Sequence, residues 1–159
     1  MNKPLLRVRG MRLLVDRTAG KLARWLRILG LDTDYIATCD ISPIVKLARR
    51  SGRKVVSRNA VLVKRMGSEG ILLESDALEE QIRQVVRTLG EENLAPFSRC
   101  SVCNAELERV RKEAVRGRIP RYVYENHDDF AICPACGRYY WQGTHWRKMK
   151  RKVEKITGG

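Results

Sequence analysis

A chain of 159 residues holds one ordinary domain plus a small appendage, and 43% apolar residues are enough for a buried core. No apolar run is long enough to span a membrane, and the N-terminus lacks the apolar stretch and cleavage site of a secretory signal. Lys and Arg number 32 against 18 Asp and Glu, a net charge of +14 with a pI near 10.1, so the expected partner is a polyanion, nucleic acid first.

Residues 1–10 read as a basic N-terminal lead-in. "MRLLVD" then predicts a strand from Arg12 to Val15 that closes on Asp16. From Ala19 to Leu29 the pattern is helical: Leu22, Trp25, Leu26 and Leu29 recur at three- and four-residue steps, and Gly30 caps the end. "DTDYIA" is a short second strand leading to Cys39 and Asp40. Cys39, the unpaired cysteine, reads as a small buried residue. Ser42 and Pro43 open a helix to about Arg50, stopped by Gly52. "KVVS" is the third strand, followed by a short helix from Ala60 to Met66 that Asn59 can cap. "GILLES" is the fourth, with Asp76 just beyond it. Leu78, Ile82, Val85, Val86 and Leu89 mark a longer amphipathic helix ended by Gly90.

Strands alternating with helices across short loops predict an α/β fold, a parallel sheet flanked by helices, over residues 11–90. Its core should be independent of the rest of the chain. "EENLAPF", residues 91–97, breaks the pattern and reads as a linker. Residues 98–146 form a second unit of paired cysteines, aromatics and bases, and residues 147–159 a basic tail. The tail lacks the apolar face of an interfacial helix, so a membrane surface is the weaker partner.

Cys100-x-x-Cys103 and Cys133-x-x-Cys136 are two knuckles that together offer four soft ligands to one tetrahedral ion, a structural Zn2+. Two disulfides are the alternative. Reduced thiols are expected because the protein reads as cytoplasmic. The aromatic run "YYWQGTHW" is either core of the small unit or a stacking surface for unpaired bases, with Tyr140 and Trp146 the residues left open for the second role.

In open α/β sheets, ligands bind beyond the carboxyl ends of the strands. Those ends carry Asp16, Asp40, Asn59 and Asp76, oxygen ligands of the kind Mg2+ or Mn2+ takes in phosphodiester hydrolysis. Asp and Asn are also favoured helix N-caps, and spacing leaves ligand and cap equally open. Around them the bases cluster. Arg17, Lys21 and Arg24 are expected to share a face of the first helix, which also carries Arg27; Arg58 follows the third strand, and Arg116 and Arg118 crowd the cysteine unit. Arg147, Lys148, Lys150, Arg151 and Lys152 fill the tail. All are read as contacts to RNA; nothing suggests a small-molecule cofactor.

"MRLLVDRTAGKLARWLRILGLDTDY", "SRN", "FSRCSVCNAEL" and "FAICPACGRYYWQGTHW" resemble the Mut-seven C-terminal RNase domain family. The resemblance implies a PIN-like nuclease fold followed by a zinc ribbon, zinc on the four paired cysteines, and RNA as substrate class. It also implies that Asp16 is the first acid of the site and that Asp76 falls in the last acidic stretch. Asp40 is the acid nearest the start of the second helix. The family typically reads Thr-Arg-Asp after the third strand, where this chain has Ser57, Arg58 and Asn59. An amide there supplies one neutral oxygen in place of a charged carboxylate, so the departure predicts weakened or lost metal-dependent cleavage with RNA binding retained. Structured RNA or a ribonucleoprotein, the ribosome for example, is the expected docking partner. An active endoribonuclease on Asp16, Asp40 and Asp76 is the rival expectation, and DNA binding a third.

Overall fold

The computed structural model describes residues 11–158; the lead-in expected over residues 1–10 lies outside them. Strands β1 (Arg12–Val15), β2 (Asp32–Tyr35), β3 (Lys54–Ser57) and β4 (Gly70–Leu72) form one sheet in the order β2-β1-β3-β4, every pair parallel. Helices α1 (Gly20–Ile28), α2 (Ile41–Ser51) and α3 (Ala60–Met66) make the crossovers, and α4 (Leu78–Leu89) follows β4. The strand repeat of two sorts the core into two layers. Leu13, Val15 and Val56 pack with Leu22 and Leu26 of α1 and Ile82, Val85 and Val86 of α4. Leu14 and Val55, on the other face, meet Ile44, Val45 and Ala48 of α2 and Leu62 of α3. Because both faces are covered, β1 is an unbroken apolar run, Leu13 to Val15, with no exposed surface. The expected parallel α/β sheet is therefore present.

The linker is held against α1. Ala95 and Phe97 donate their N–H groups to the carbonyls of Leu29 and Ile28, at 3.0 and 2.8 Å, satisfying acceptors that a helix end leaves open. Gly30 (φ +83°) makes room for this, since a Cβ there would collide with the Ala95 carbonyl.

The second unit is an antiparallel sheet of β5 (Glu108–Val110), β6 (Phe130–Ile132) and β7 (Tyr139–Trp141), with α5 (Lys112–Val115) and α6 (Arg121–Asn126) between β5 and β6. A last helix, α7 (Thr144–Thr157), takes residues 144–146 from the span expected for the ribbon, and nearly all of the expected tail. Here the sequence reading needs correction. Val153 and Ile156 are buried in the same layer as α1 and α4, Met149 packs beside them, and Trp146 rests on Phe97 with ring centroids 5.0 Å apart. These residues form one apolar stripe at helical spacing, so the tail does have an apolar face, and it covers the first unit. The core of residues 11–90 is not independent: the C-terminal helix completes it. Among the described residues no helix is long and apolar enough to cross a membrane.

A polar joint ties the ribbon to the sheet. β2 is an edge strand, and an edge leaves backbone groups without partners. Fully buried Thr33 resolves this by donating its N–H to Asn104 Oδ1 at 2.9 Å and accepting from Arg27 Nε at 2.8 Å. Arg27 Nη1 reaches on to the Val102 carbonyl at 2.8 Å. Asn104 Nδ2 donates to Asp32 Oδ1 at 2.7 Å, and buried Arg53 donates to the same oxygen at 2.7 Å. Arg53 Nε lies 3.1 Å from Asp34 Oδ2 as an ion pair without hydrogen-bond alignment. Burial alone would raise the Asp32 carboxyl; the hydrogen bonds from Arg53 and Asn104, with the charges of Arg53 and Arg99, outweigh it and hold the group below its ordinary range.

Candidate functional site

Folding brings the four paired cysteines into one group, each offering a sulfur within 4.8 Å of the others. Cys100 and Cys133 are buried, Cys103 and Cys136 exposed. The two knuckles fold alike. Asn104 N–H donates to the Cys100 carbonyl at 3.0 Å, and Gly137 N–H to the Cys133 carbonyl at 2.9 Å. Cys100 N–H donates to Ala105 and Cys133 N–H to Arg138, at 2.8 and 2.9 Å. The residue after each second cysteine is left-handed, Asn104 at φ 70° and Gly137 at φ 74°, a conformation glycine adopts freely and asparagine tolerates.

Cys100 and Cys136 sulfurs are 3.8 Å apart, and those of Cys103 and Cys133 are 3.1 Å apart. A tetrahedron with Zn–S bonds of about 2.3 Å has edges of about 3.8 Å. Four soft sulfurs in a closed group therefore suit a metal ion such as zinc. All four thiols are free, so the disulfide alternative falls. Tyr140, left open as a stacking residue, instead places its hydroxyl 2.9 Å from the Cys100 sulfur. Burial would push the Cys100 thiol up, but the Tyr140 hydroxyl and the N–H groups of the knuckle bring it down to about 6. Burial, and next the Cys100 sulfur, push the Tyr140 phenol up in turn.

At the carboxyl ends of the parallel strands, Asp16 is 1% exposed. Its Oδ1 accepts from the N–H of Thr18 at 3.1 Å and from the Thr18 hydroxyl, and its Oδ2 accepts from the Ser57 hydroxyl at 2.7 Å. Ser57 Oγ in turn accepts from Asn59 N–H at 3.0 Å, and Thr18 Oγ1 from Arg58 N–H at 3.0 Å. The amide oxygen of Asn59 accepts from Val61 and Leu62 N–H groups at 3.0 and 3.3 Å, capping α3. Asp16 and Asn59 thus both act as caps, Asp16 for the short 3-10 turn Arg17–Ala19. Asp40 is exposed and precedes α2 without capping it. Asp76 is exposed in the loop beyond β4, which ends at Leu72 and not at the expected Ser75. Among the described residues these three carboxylates do not form a ligand group of the kind the cysteines make.

The bases divide. Arg17, Lys21, Arg24, Arg58, Arg116, Arg118, Arg147, Lys148, Lys150 and Arg151 are exposed. Lys21 and Arg24 share a face of α1, but Arg17, expected on the same face, lies in the 3-10 turn before the helix, because Asp16 caps that turn first. Arg27 is a correction: its guanidinium is half-buried and committed to the carbonyls of Thr33 and Val102, which leaves it little to offer a phosphate. Burial lowers its pKa, an effect that Asp34 opposes. Lys152 is half-buried, its ammonium 4.6 Å from the Trp25 ring, and Lys150 lies 5.3 Å from the Trp146 ring. Cys39 is exposed, contrary to the sequence reading, because β2 has ended four residues before it.

Two basic grooves were not foreseen. One, about 530 Å³ between α2 and α3, is lined by Lys46, Arg49, Arg50 and Arg65 and by no acid. The i, i+3 and i+4 spacing of the first three is its sequence signal. The other, about 380 Å³, lies where α1 meets the ribbon and adds Arg138 to Arg24 and Arg118.

A parallel α/β sheet tied by a polar network to a ribbon of four clustered cysteines, with many exposed bases, defines an α/β protein whose ribbon suits a metal ion and whose surface suits a polyanion. The chain belongs to the Mut7-C RNAse domain family, whose model matches residues 11–153. That membership makes its function ribonuclease-related and RNA its substrate or partner. No curated protein and no solved structure matches the chain.

Proposed function

We propose that this chain is an RNA-binding member of a ribonuclease family that docks on structured RNA or a ribonucleoprotein such as the ribosome, in the cytoplasm, with its metal-dependent cleavage weakened or lost. One observation carries the reading. The carboxylate and the amide where β1 and β3 end, Asp16 and Asn59, are both committed to hydrogen bonds within the fold. Asn59 brings no charge that could hold a divalent cation beside Asp16. Phosphate binding needs neither group, only the exposed arginines and lysines. The ribbon ion is zinc in this reading, held by Cys100, Cys103, Cys133 and Cys136, and its thiolates need a reducing compartment.

The test is paired. Purified protein should retain a structured RNA on a filter while leaving a single-stranded RNA intact in Mg2+ or Mn2+. Cleavage that Asp16→Asn abolishes would overturn the loss of catalysis. Family membership is what favours this second reading, in which Asp16, Asp40 and Asp76 suffice for an active endoribonuclease. Retention of DNA but not RNA would overturn the choice of polymer.

A further inference from the structure

We infer that the groove between α1 and the ribbon is a site for unpaired RNA nucleotides, with Tyr139 and Trp141 as stacking surfaces and Arg24, Arg118 and Arg138 as phosphate contacts. The inference rests on the RNA-binding reading above and gives it a location. The groove, about 380 Å³, draws its lining from α1, the first knuckle, the loop before α6 and strand β7, and no acid is among them. Its three guanidinium groups belong to exposed residues that come from both units of the protein. Arginine presents a planar fork that matches phosphate oxygens, and three without a competing carboxylate make an anion site.

Charge alone would fit any polyanion. The aromatics narrow the choice. All three aromatics of β7 line the groove, but Tyr140, on the opposite face of the strand from Tyr139 and Trp141, has its hydroxyl occupied by Cys100. Tyr139 stands opposite half-buried Ile132, and Trp141 opposite buried Phe130, so both are anchored by strand pairing, and both are only half-buried. An anchored ring with an open side costs little entropy when a base stacks on it. Arg118 Nη1 comes within 3.5 Å of the Tyr139 hydroxyl, which puts a phosphate contact next to a base contact. A cationic groove with aromatic platforms is the chemistry that holds single strands with little sequence preference. An acidic peptide would satisfy the arginines and leave the rings unmatched; a duplex keeps its base faces stacked away from them.

The experiment uses the full chain with its metal and a labelled oligouridylate followed by fluorescence anisotropy over a range of salt. Replacing Arg118 and Arg138 together by Gln should weaken binding about ten-fold and lower the salt slope by about one to two. Tyr139→Leu should weaken it about five-fold at an unchanged slope, because stacking releases no counterions. If the ring substitution disturbs the ribbon, the exposed arginine pair decides alone. Wild-type binding that the arginine pair leaves intact overturns the groove and leaves RNA binding to the other basic faces. No binding of oligouridylate or of a structured RNA by the wild type overturns both readings. Displacement of the RNA by polyglutamate as readily as by unlabelled oligouridylate identifies an acidic-peptide site and overturns the inference.

Discussion

The Ser57 hydroxyl donates to Asp16 Oδ2 at 2.7 Å and so joins the ends of the two central strands, β1 and β3, across 41 residues of sequence. Asn59 hangs from this joint through its N–H on Ser57 Oγ. Any charge placed on residue 59 is therefore held near the rim of the crevice where Asp16 sits.

Asn59→Asp should keep the fold, since Asp caps a helix as well as Asn does and its charge suits the N-terminus of α3. It should raise Mn2+ affinity measurably by calorimetry, and restored RNA cleavage is the further expected outcome. Asn59→Ala, which loses the cap without gaining a ligand, should cost about 1 kcal/mol in urea unfolding. If Asn59→Asp binds Mn2+ no better than the parent, the crevice is not one carboxylate short of a metal site.

Metal removal should reach further than the ribbon. Elemental analysis should return one zinc per chain, and chelation should unfold the knuckles, because a small unit with a thin core needs its ion. Asn104 would then release Thr33 and Asp32, leaving buried backbone on β2 unpaired. The expected outcome is a lower melting temperature for the parallel sheet as well, read by hydrogen exchange at β1 and β2. Protection there that is indifferent to chelation would show that the joint contributes nothing.

The C-terminal helix separates stability from charge. Ile156→Ala should destabilise the protein by about 2–5 kcal/mol, as a buried large-to-small change does. Deleting residues 147–159 would therefore confound lost RNA contacts with lost core. Changing exposed Arg147, Lys148 and Arg151 to Gln should leave stability nearly unchanged and weaken RNA binding, with a flatter dependence on salt. An RNA affinity unmoved by this triple change would place binding elsewhere on the surface.

Acid should loosen the joint through Asp32. Its carboxyl is more acidic folded than unfolded, so as pH falls the unfolded chain takes up the proton first. The stability it contributes is full above the ordinary carboxylate pKa of about 4 and is lost as pH falls through the lower folded value. Asp32→Asn should reduce the change in stability between neutral and acid pH. An unaltered pH dependence in that variant would assign the acid sensitivity to other carboxylates.

The parallel sheet and its helices were legible because their apolar residues repeat locally, at two or at three to four positions, and the cysteine spacing carried its ligand chemistry with it. What stayed hidden depends on residues far apart. Nothing near Asn104 in the chain announces that it will bond Asp32, 72 residues earlier. Its position after the second cysteine called only for a left-handed residue, and Gly137 fills the equivalent place with no such partner. Arg27 looked like a surface base because helical spacing cannot tell an exposed arginine from one that a later domain will cover. In α7 the stripe of Trp146, Met149, Val153 and Ile156 was masked by six bases set between its members. The strand-end acids were legible as a constellation in sequence; the bond from Ser57 that occupies Asp16, and the loop that holds Asp76, were not, since they depend on a residue 41 positions away and on where β4 stops.

The helix that completes the core is made after the ribbon. Val153 and Ile156 lie against α1 and α4, yet they leave the ribosome only after the whole ribbon has emerged. Until then the nascent α/β unit carries an uncovered apolar seam, and it can close that seam only after the ribbon has turned the chain back toward it. The cysteine unit is thus an insertion within a folding domain, and a truncated translation product that ends at the ribbon should be recognised by chaperones or proteases as unfinished.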